Sequence, residues 1–257
     1  MKVLFMRMRS VALILAAALV FSVWAYNARP PFLAAMAAKR EIPIYCVDRP
    51  YKTASLSFDA AWGNEDTPLL IEILARYDVR ATFFVVGDWA RKYPESVKQL
   101  HDAGHEVMSH SNKHAHMTRL SRGEITADLA ACNDAISSVT GVTPTLFRCP
   151  YGEYDDNVVL AARGLGMNTI QWDVDSLDWQ DKTAEQITSR VLGKVKNGSI
   201  VLFHNAAKNT PAALPGVIEG LLQEDYSLVP ISELILSEPF AVDHTGKQYQ
   251  IKENRKQ

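Results

Sequence analysis

The chain has 257 residues, 47% of them apolar, with 27 Lys and Arg against 29 Asp and Glu and a formal net charge of −2 at pH 7. That is enough apolar material for a real core, in one large domain or two small ones, and the balanced charge excludes the broad basic field of a nucleic-acid-binding surface. No zinc-finger spacing, P-loop or dinucleotide fingerprint occurs, and the cysteines, Cys46, Cys132 and Cys149, suggest neither a disulfide framework nor a zinc ribbon.

At the N-terminus, Lys2, Arg7 and Arg9 precede the run VALILAAALVFSVWA, residues 11–25. Basic residues ahead of an apolar stretch predict an export segment over 1–25, with its basic end left in the cytoplasm. The run is shorter than the ~20 residues of a comfortable spanning helix, so removal as a signal peptide and retention as a membrane anchor are both open. Either outcome places the rest of the chain outside the cytoplasm. Residues 26–50 read as a connector that ends in the strand-like IPIYCV.

Strands and helices then alternate. ASLSFDA (54–60) is a strand and TPLLIEILARY (67–77) a helix; ATFFVVG (81–87) is a strand and PESVKQLHDAG (94–104) a helix closed by Gly104. HEVMSH (105–110) is the third strand. The helix over 121–141 opens on a capping box of Ser121 and Glu124 and stops at Gly141. TLFRCP (145–150), NTIQWDV (168–174), SIVLFHN (199–205) and SLVPIS (227–232) are strands. DDNVVLAARGLG (155–166), AEQITSRVLGKV (184–195) and LPGVIEGLLQEDY (214–226) are the helices between them. Residues 237–257 read as a polar, frayed tail.

This alternation predicts parallel strands joined by helical crossovers, and strands that are apolar nearly throughout predict a sheet covered on both faces. About seven βα steps over residues 51–236 favour a closed or nearly closed (β/α) barrel over an open doubly wound sheet. Asp59, His110 and Arg148 end strands on this map, His114 lies just beyond one, Asp173, Asp175 and Asp178 follow the fifth, and His204 ends SIVLFH. Barrels of this kind carry their active face at the C-terminal strand ends.

Singly, each residue has a bland alternative. His110 and His114 are four apart, which lets both reach one ion and also describes an ordinary solvated pair. Asp59 suits a general base or a helix N-cap. Arg148 wants a carboxylate, either Asp59 or a loop acid. Pro150 and Gly152 fix a turn whose backbone N–H groups could face a developing oxyanion. Trp62, Trp172 and Trp179 suit the apolar face of a sugar or a core, and His204 is a general acid or a satisfied core histidine.

Together the motifs SFDA, HSNKH, RCPYG, DSLDW and LFH resemble those of the NodB-homology polysaccharide deacetylases, carbohydrate esterase family four, over roughly residues 50–236. The resemblance implies a distorted (β/α) barrel whose mouth carries the five motifs. It implies Asp59 as catalytic base, His110 and His114 as metal ligands, and Arg148 as the residue orienting the base. The Tyr151 N–H becomes an oxyanion donor, Asp178 tunes the acid, Trp179 lines the pocket, Leu202 belongs to the acetyl pocket and His204 is the general acid. Trp62 is a further candidate wall of the sugar site, and His116 falls outside the motif.

There is one departure. The family usually carries a second Asp directly after the base, and here that position is Ala60. The pattern is similar to the sporulation-type branch. A divalent ion, zinc with cobalt or nickel as alternatives, is then expected on two histidines and water, or with a replacement ligand among Asn64, Glu65 and Asp66. The implied reaction is metal-assisted hydrolysis of N-acetyl groups on an acetylated glycan, peptidoglycan (spore-related or not) or a chitin-like oligomer, by a monomer with a membrane link through residues 1–25 and no nucleic-acid partner. A tethered, catalytically weak or inactive carbohydrate binder and a structural envelope protein are the rival readings.

Overall fold

Eight consecutive buried residues, Thr53–Ala60, form β2, the strand around which the domain is assembled. The computed structural model describes residues 17–22, a helical segment, and residues 40–251. The remainder of the expected export segment, most of the connector and the last six residues lie outside the described residues. Among the described residues no helix is long and apolar enough to cross a membrane. Residues 1–40 form a unit separate from Glu41–Gln257.

In the larger unit β2 is flanked by β3 (Thr82–Val85) and β8 (Ser199–His204). The series continues through β4 (Glu106–Ser109), β5 (Leu146–Arg148) and β6 (Asn168–Ile170) on one side, and through β7 (Val174–Asp175), paired with β8, on the other. These seven strands are mutually parallel, in the order β7-β8-β2-β3-β4-β5-β6. No pairing joins β6 to β7 among the described residues, so the barrel is incomplete, as in a distorted (β/α) barrel. An isolated bridge from Ile44 to Ile170 lies at the β6 edge.

Alternation along β2 divides its side chains between two environments. Leu56, Phe58 and Ala60 pack into the larger apolar cluster, under helices α1 (Thr67–Arg76), α2 (Gly87–Lys92), α3 (Pro94–Asp102) and α4 (Arg122–Thr140). Phe58 stacks there on Phe83 and Phe203, at ring separations of 4.7 and 5.5 Å. Ser55, Ser57 and Asp59, equally buried, take the opposite face. The helices begin where their end signals are. α4 has the reciprocal Ser121–Glu124 capping box and ends on Gly141 at φ 71°. α5 (Asp156–Gly164) is capped by Asp155, and α6 (Ala184–Leu192) by a second box, Thr183–Gln186.

Four expectations are corrected. NTIQWDV is two strands, because the chain leaves the sheet at Gln171 and rejoins it on β8 at Val174. The last crossover helix, α7 (Thr210–Gln223), starts four residues early behind Pro211 and carries Pro215 inside. SLVPIS contributes only β9 (Ser227–Leu228) before the short α8 (Ile231–Leu234). The tail is not frayed before residue 251: β10 (Phe240–Val242) and β11 (Lys247–Gln250) form a hairpin, and β11 pairs with β1 (Cys46–Val47), which itself joins β8. Polar residues suit an edge hairpin whose one inward residue, Gln248, is buried and bonded to Leu236.

β1 and β2 come together at Gly198. Its N–H donates to Thr53 O, its carbonyl accepts from Val47 N, its φ is +81°, and a Cβ there would stand 1.7 Å from Val47 O. Gly198→Ala is therefore expected to destabilise the domain by at least ~1–3 kcal/mol. A urea-unfolding midpoint equal to that of the parent would contradict this.

Candidate active site at the strand ends

Parallel register makes Asp59 the partner of His204 across β2 and β8, and Asp59 the partner of Phe84 across β2 and β3. His110 directly follows β4 and Arg148 ends β5, so four residues far apart in sequence meet at one end of the sheet. They surround or support a cavity of about 460 Å³. Asp59, His110, His114 and His204 line it, with Leu202 at its base. Trp62, Tyr151 and Trp179 form much of its wall and are all more than half exposed.

Arg148 lies behind the cavity and is wholly buried. Its Nη1 donates to Asp59 Oδ1 at 2.8 Å, and its Nη2 donates to Ser57 Oγ at 2.8 Å and Gln171 O at 3.2 Å. The guanidinium lies 4.1 Å from the Phe84 ring centroid and 5.6 Å from that of Trp172. Burial alone would raise the Asp59 pKa; the charges of His110, Arg148 and His204 outweigh it and hold the carboxyl below its usual value.

His204 has the opposite polarity. Its Nδ1 donates to Asp178 Oδ1 at 2.8 Å, and its backbone N–H donates to Oδ2 of the same carboxylate, also at 2.8 Å. Thr210 Oγ1 donates to that oxygen at 2.6 Å, so the buried Asp178 is held by three donors. Burial pulls the His204 pKa down, but the Asp178 hydrogen bond and the charges of Asp59, Asp178 and Asp175 raise it above the ordinary histidine value. With Nδ1 engaged by a carboxylate, Nε2 is the nitrogen left for the cavity.

His110 Nδ1 lies 2.9 Å from the carbonyl of Arg148. A carbonyl only accepts, so Nδ1 carries the proton and Nε2 presents a lone pair. That lone pair is 3.5 Å from Asp59 Oδ2, two buried acceptors facing each other, an arrangement that a cation or proton between them would relieve. His114 sits 5.1 Å from His110, ring to ring, and burial with the neighbouring His110 pushes its pKa down to about 4. Two neutral imidazoles suit a zinc-type ion in donor chemistry. They do not suit it in number: the described residues contain no group of three or more His, Cys, Asp or Glu side chains able to hold an ion.

The expected substitutes do not fill the gap. Asn64 Nδ2 donates to Ser96 Oγ, Glu65 Oε2 accepts from Asn64 N, and Asp66 Oδ2 accepts from Ala206 N. None of the three lines the cavity. Ala60 is buried in the helix-side apolar cluster. His116 is also outside the cavity; its Nδ1 meets Glu153 Oε2 at 2.8 Å and its ring stacks 4.4 Å from that of Tyr151. Tyr151 itself adopts φ 59°, a left-handed conformation that turns the chain between Pro150 and Gly152.

Trp172 and Asp175 also line the cavity, and Ser57, Gln171 and Thr210 hold its charged groups. Ser57 was legible as the inward neighbour of Asp59 by strand alternation. Thr210, 32 residues from Asp178, carries no local signal.

A sequence profile of the family described as Polysaccharide deacetylase matches residues 47–170. The peptidoglycan-N-acetylglucosamine deacetylase of Listeria monocytogenes is 36% identical over 77% of this chain and 41% of its own length. Among solved structures, a family 4 carbohydrate esterase from Streptomyces lividans, in complex with acetate, is 32% identical with a TM-score of 0.66, covering 69% of this chain and 91% of that one. A family 4 pseudoenzyme from Bacillus anthracis is 37% identical with a TM-score of 0.73, over 75% of this chain and 68% of that one. A mutant of it with restored enzymatic activity is 38% identical with the same TM-score, over 75% and 70%. The chain spans 41% of the Listeria enzyme and 60% of an uncharacterized Bacillus subtilis relative.

A histidine with a raised pKa contributes stability that is fully present below its unfolded value of about 6.5 and is lost as pH rises through the folded value. Asp178→Asn removes the charge that raises His204. Its imidazole is then expected to titrate at lower pH, and the stability lost on the alkaline side is expected to shrink. An NMR titration of the His204 ring reads this directly, and an unmoved midpoint would refute the role given to Asp178.

Proposed function

The chain belongs to the polysaccharide deacetylase family, carbohydrate esterase family four, and we propose that it hydrolyses N-acetyl groups on an extracytoplasmic glycan, peptidoglycan in the first instance. The observation that carries this reading is the opposed pair at one strand register, Asp59 with its pKa lowered beside Arg148 and His204 with its pKa raised by its hydrogen bond to Asp178. A base and an acid kept in complementary states on one cavity suit amide hydrolysis, which needs a proton removed from water and another delivered to nitrogen. A chitin-like oligomer is the other substrate of the same chemistry.

In this mechanism the sugar stacks among Trp62, Trp179 and Tyr151, and its acetyl methyl enters the apolar base at Leu202. Asp59 takes a proton as water attacks the acyl carbon, and Arg148 keeps that carboxylate oriented. The Tyr151 backbone N–H donates to the developing oxyanion. His204 Nε2–H protonates the departing nitrogen as the C–N bond breaks, leaving acetate and a free amine. His110 and His114 are the residues that would hold a divalent ion, zinc or in its place cobalt or nickel, and such an ion would supply Lewis-acid polarisation of the carbonyl.

A second reading follows from Ala60 and the two-histidine donor set: a glycan binder of low or no turnover, consistent with the likeness to a pseudoenzyme. The two readings share the cavity and differ in whether acetate appears. Release of acetate from acetylated peptidoglycan, with and without added zinc, separates them.

Asp59→Asn and His204→Ala are each expected to lower turnover by at least ~100-fold with a smaller change in glycan binding. The parent pH–rate curve should be bell-shaped, and each variant should lose one limb; near-parental rates in either would remove it from its role. For the ion, His114→Ala should abolish specific zinc binding and His116→Ala should leave it intact. Ala60 packs in the helix-side cluster, so Ala60→Asp puts a carboxylate into apolar surroundings and should lower stability, and it tightens zinc, by about tenfold or more, where the new side chain turns out to the cavity. Calorimetric titration checks all three, and equal affinities throughout would defeat the two-histidine assignment.

A further inference from the structure

The residue that follows the acid, Asn205, is 5% exposed and uses every arm of its carboxamide on one loop. Its Oδ1 accepts from Ala61 N at 3.1 Å, and its Nδ2 donates to Trp62 O at 2.5 Å and Gly63 O at 2.9 Å. Its own backbone N–H donates to the carbonyl of Asp59 at 3.0 Å. One side chain on the β8 exit thus binds the backbone of three successive residues on the β2 exit. Gly63 O also accepts from the buried Trp89 indole at 2.5 Å, and Gly63 has φ +54°, so the loop is a sharp turn held from two sides.

The indole this loop presents is unusual. Trp62 is 62% exposed, yet it stands on the wall of the cavity, 5.1 Å edge-on from His114, and borders a second, smaller depression with Trp179 and Lys208. An exposed indole has little packing of its own to fix it. Its position follows from its backbone, and that backbone is held at Ala61 and Trp62 by Asn205 and at Gly63 by Asn205 together with the Trp89 indole.

We infer that Asn205 is a positioning residue for recognition: its buried carboxamide clamps the 61–63 loop and so sets the Trp62 indole against the cavity as a preformed platform for the glycan. The consequence for recognition rests on the glycan reading above; the clamp itself does not. A preset aromatic surface lowers the ordering cost of binding, so loosening it should weaken substrate capture more than the chemical step. Asn205→Ala removes all three contacts. Asn205→Asp keeps an acceptor for Ala61 N–H but turns acceptors toward the two carbonyls.

Three measurements decide it. Hydrogen exchange in the unmodified protein should show the Ala61 amide protected, and free exchange would overturn the clamp without any variant. Indole NMR signals, assigned through Trp62→Phe, should shift or broaden for Trp62 in both Asn205 variants and stay in place for Trp172, which packs against a different cluster. An unchanged Trp62 signal in a folded variant would overturn the inference. With a tetrameric chitin oligosaccharide, both variants should raise KM, or Kd if turnover is absent, by about tenfold while kcat changes by less than about threefold. A matching fall in kcat at constant KM would assign Asn205 to the chemistry instead. If the parent neither binds nor deacetylates any acetylated glycan, the functional reading fails while the exchange and indole results still judge the clamp.

Discussion

The wholly buried guanidinium of Arg148, paired with Asp59, is the constraint on which the site depends. Taking a guanidinium and a carboxylate out of water costs several kcal/mol per ion, a cost that close pairing and further hydrogen bonds offset. Asp59 and Ser57 on β2 and Gln171 just after β6 accept from the two terminal nitrogens, Nε has no partner among the described residues, and Phe84 and Trp172 cover the cation's apolar environs. The pair therefore holds β2, β5 and the exit of β6 in one geometry. It also keeps an ionised carboxylate in a place where burial alone would neutralise it.

His204 depends on that carboxylate as well as on its own. Asp59, Asp178 and Asp175 all raise its pKa against the pull of burial. Asp59 and His204 are thus electrostatically linked, each favouring the charged state of the other across the β2–β8 register. Burial dominates for His110 and His114 by contrast and pushes both pKa values down, that of His114 to about 4. One cavity therefore holds one histidine whose pKa is raised and two whose pKa values are lowered.

The polar centre is enclosed by groups that are themselves positioned from outside it. Trp62 rests on the loop bound by Asn205, and Tyr151 stacks on His116, which Glu153 holds. Exposed aromatic rings on rigid turns give a binding surface that loses little freedom when a sugar arrives. Ala60 faces the helix layer, Asn64 turns to Ser96 on α3, Glu65 accepts from its own loop at Asn64 N, and Asp66 Oδ2 accepts from Ala206 beyond His204, so none of them lines the cavity.

The sequence by itself determined the alternating elements, the capping boxes at Ser121 and Glu124, and the collection of Asp59, His110, Arg148 and His204 at strand ends, because periodicity and end signals are local properties of the chain. The parallel sheet of seven strands follows from the same repetition. What only the tertiary structure decided lies in contacts between distant segments. Asp59 is 89 residues from Arg148, and no local pattern states that the guanidinium chooses this carboxylate over a loop acid. The break of NTIQWDV into two strands follows from which neighbour each half finds, β5 for one and β8 for the other. The polar segment after Phe240 joins the sheet because β1 offers an open edge, and a hydropathy pattern cannot see that edge. Asn64, Glu65 and Asp66 were equivalent candidates along the chain; through-space hydrogen bonds to Ser96 and Ala206 directed two of them elsewhere, since a buried polar group goes to whichever partner the fold brings within 3 Å.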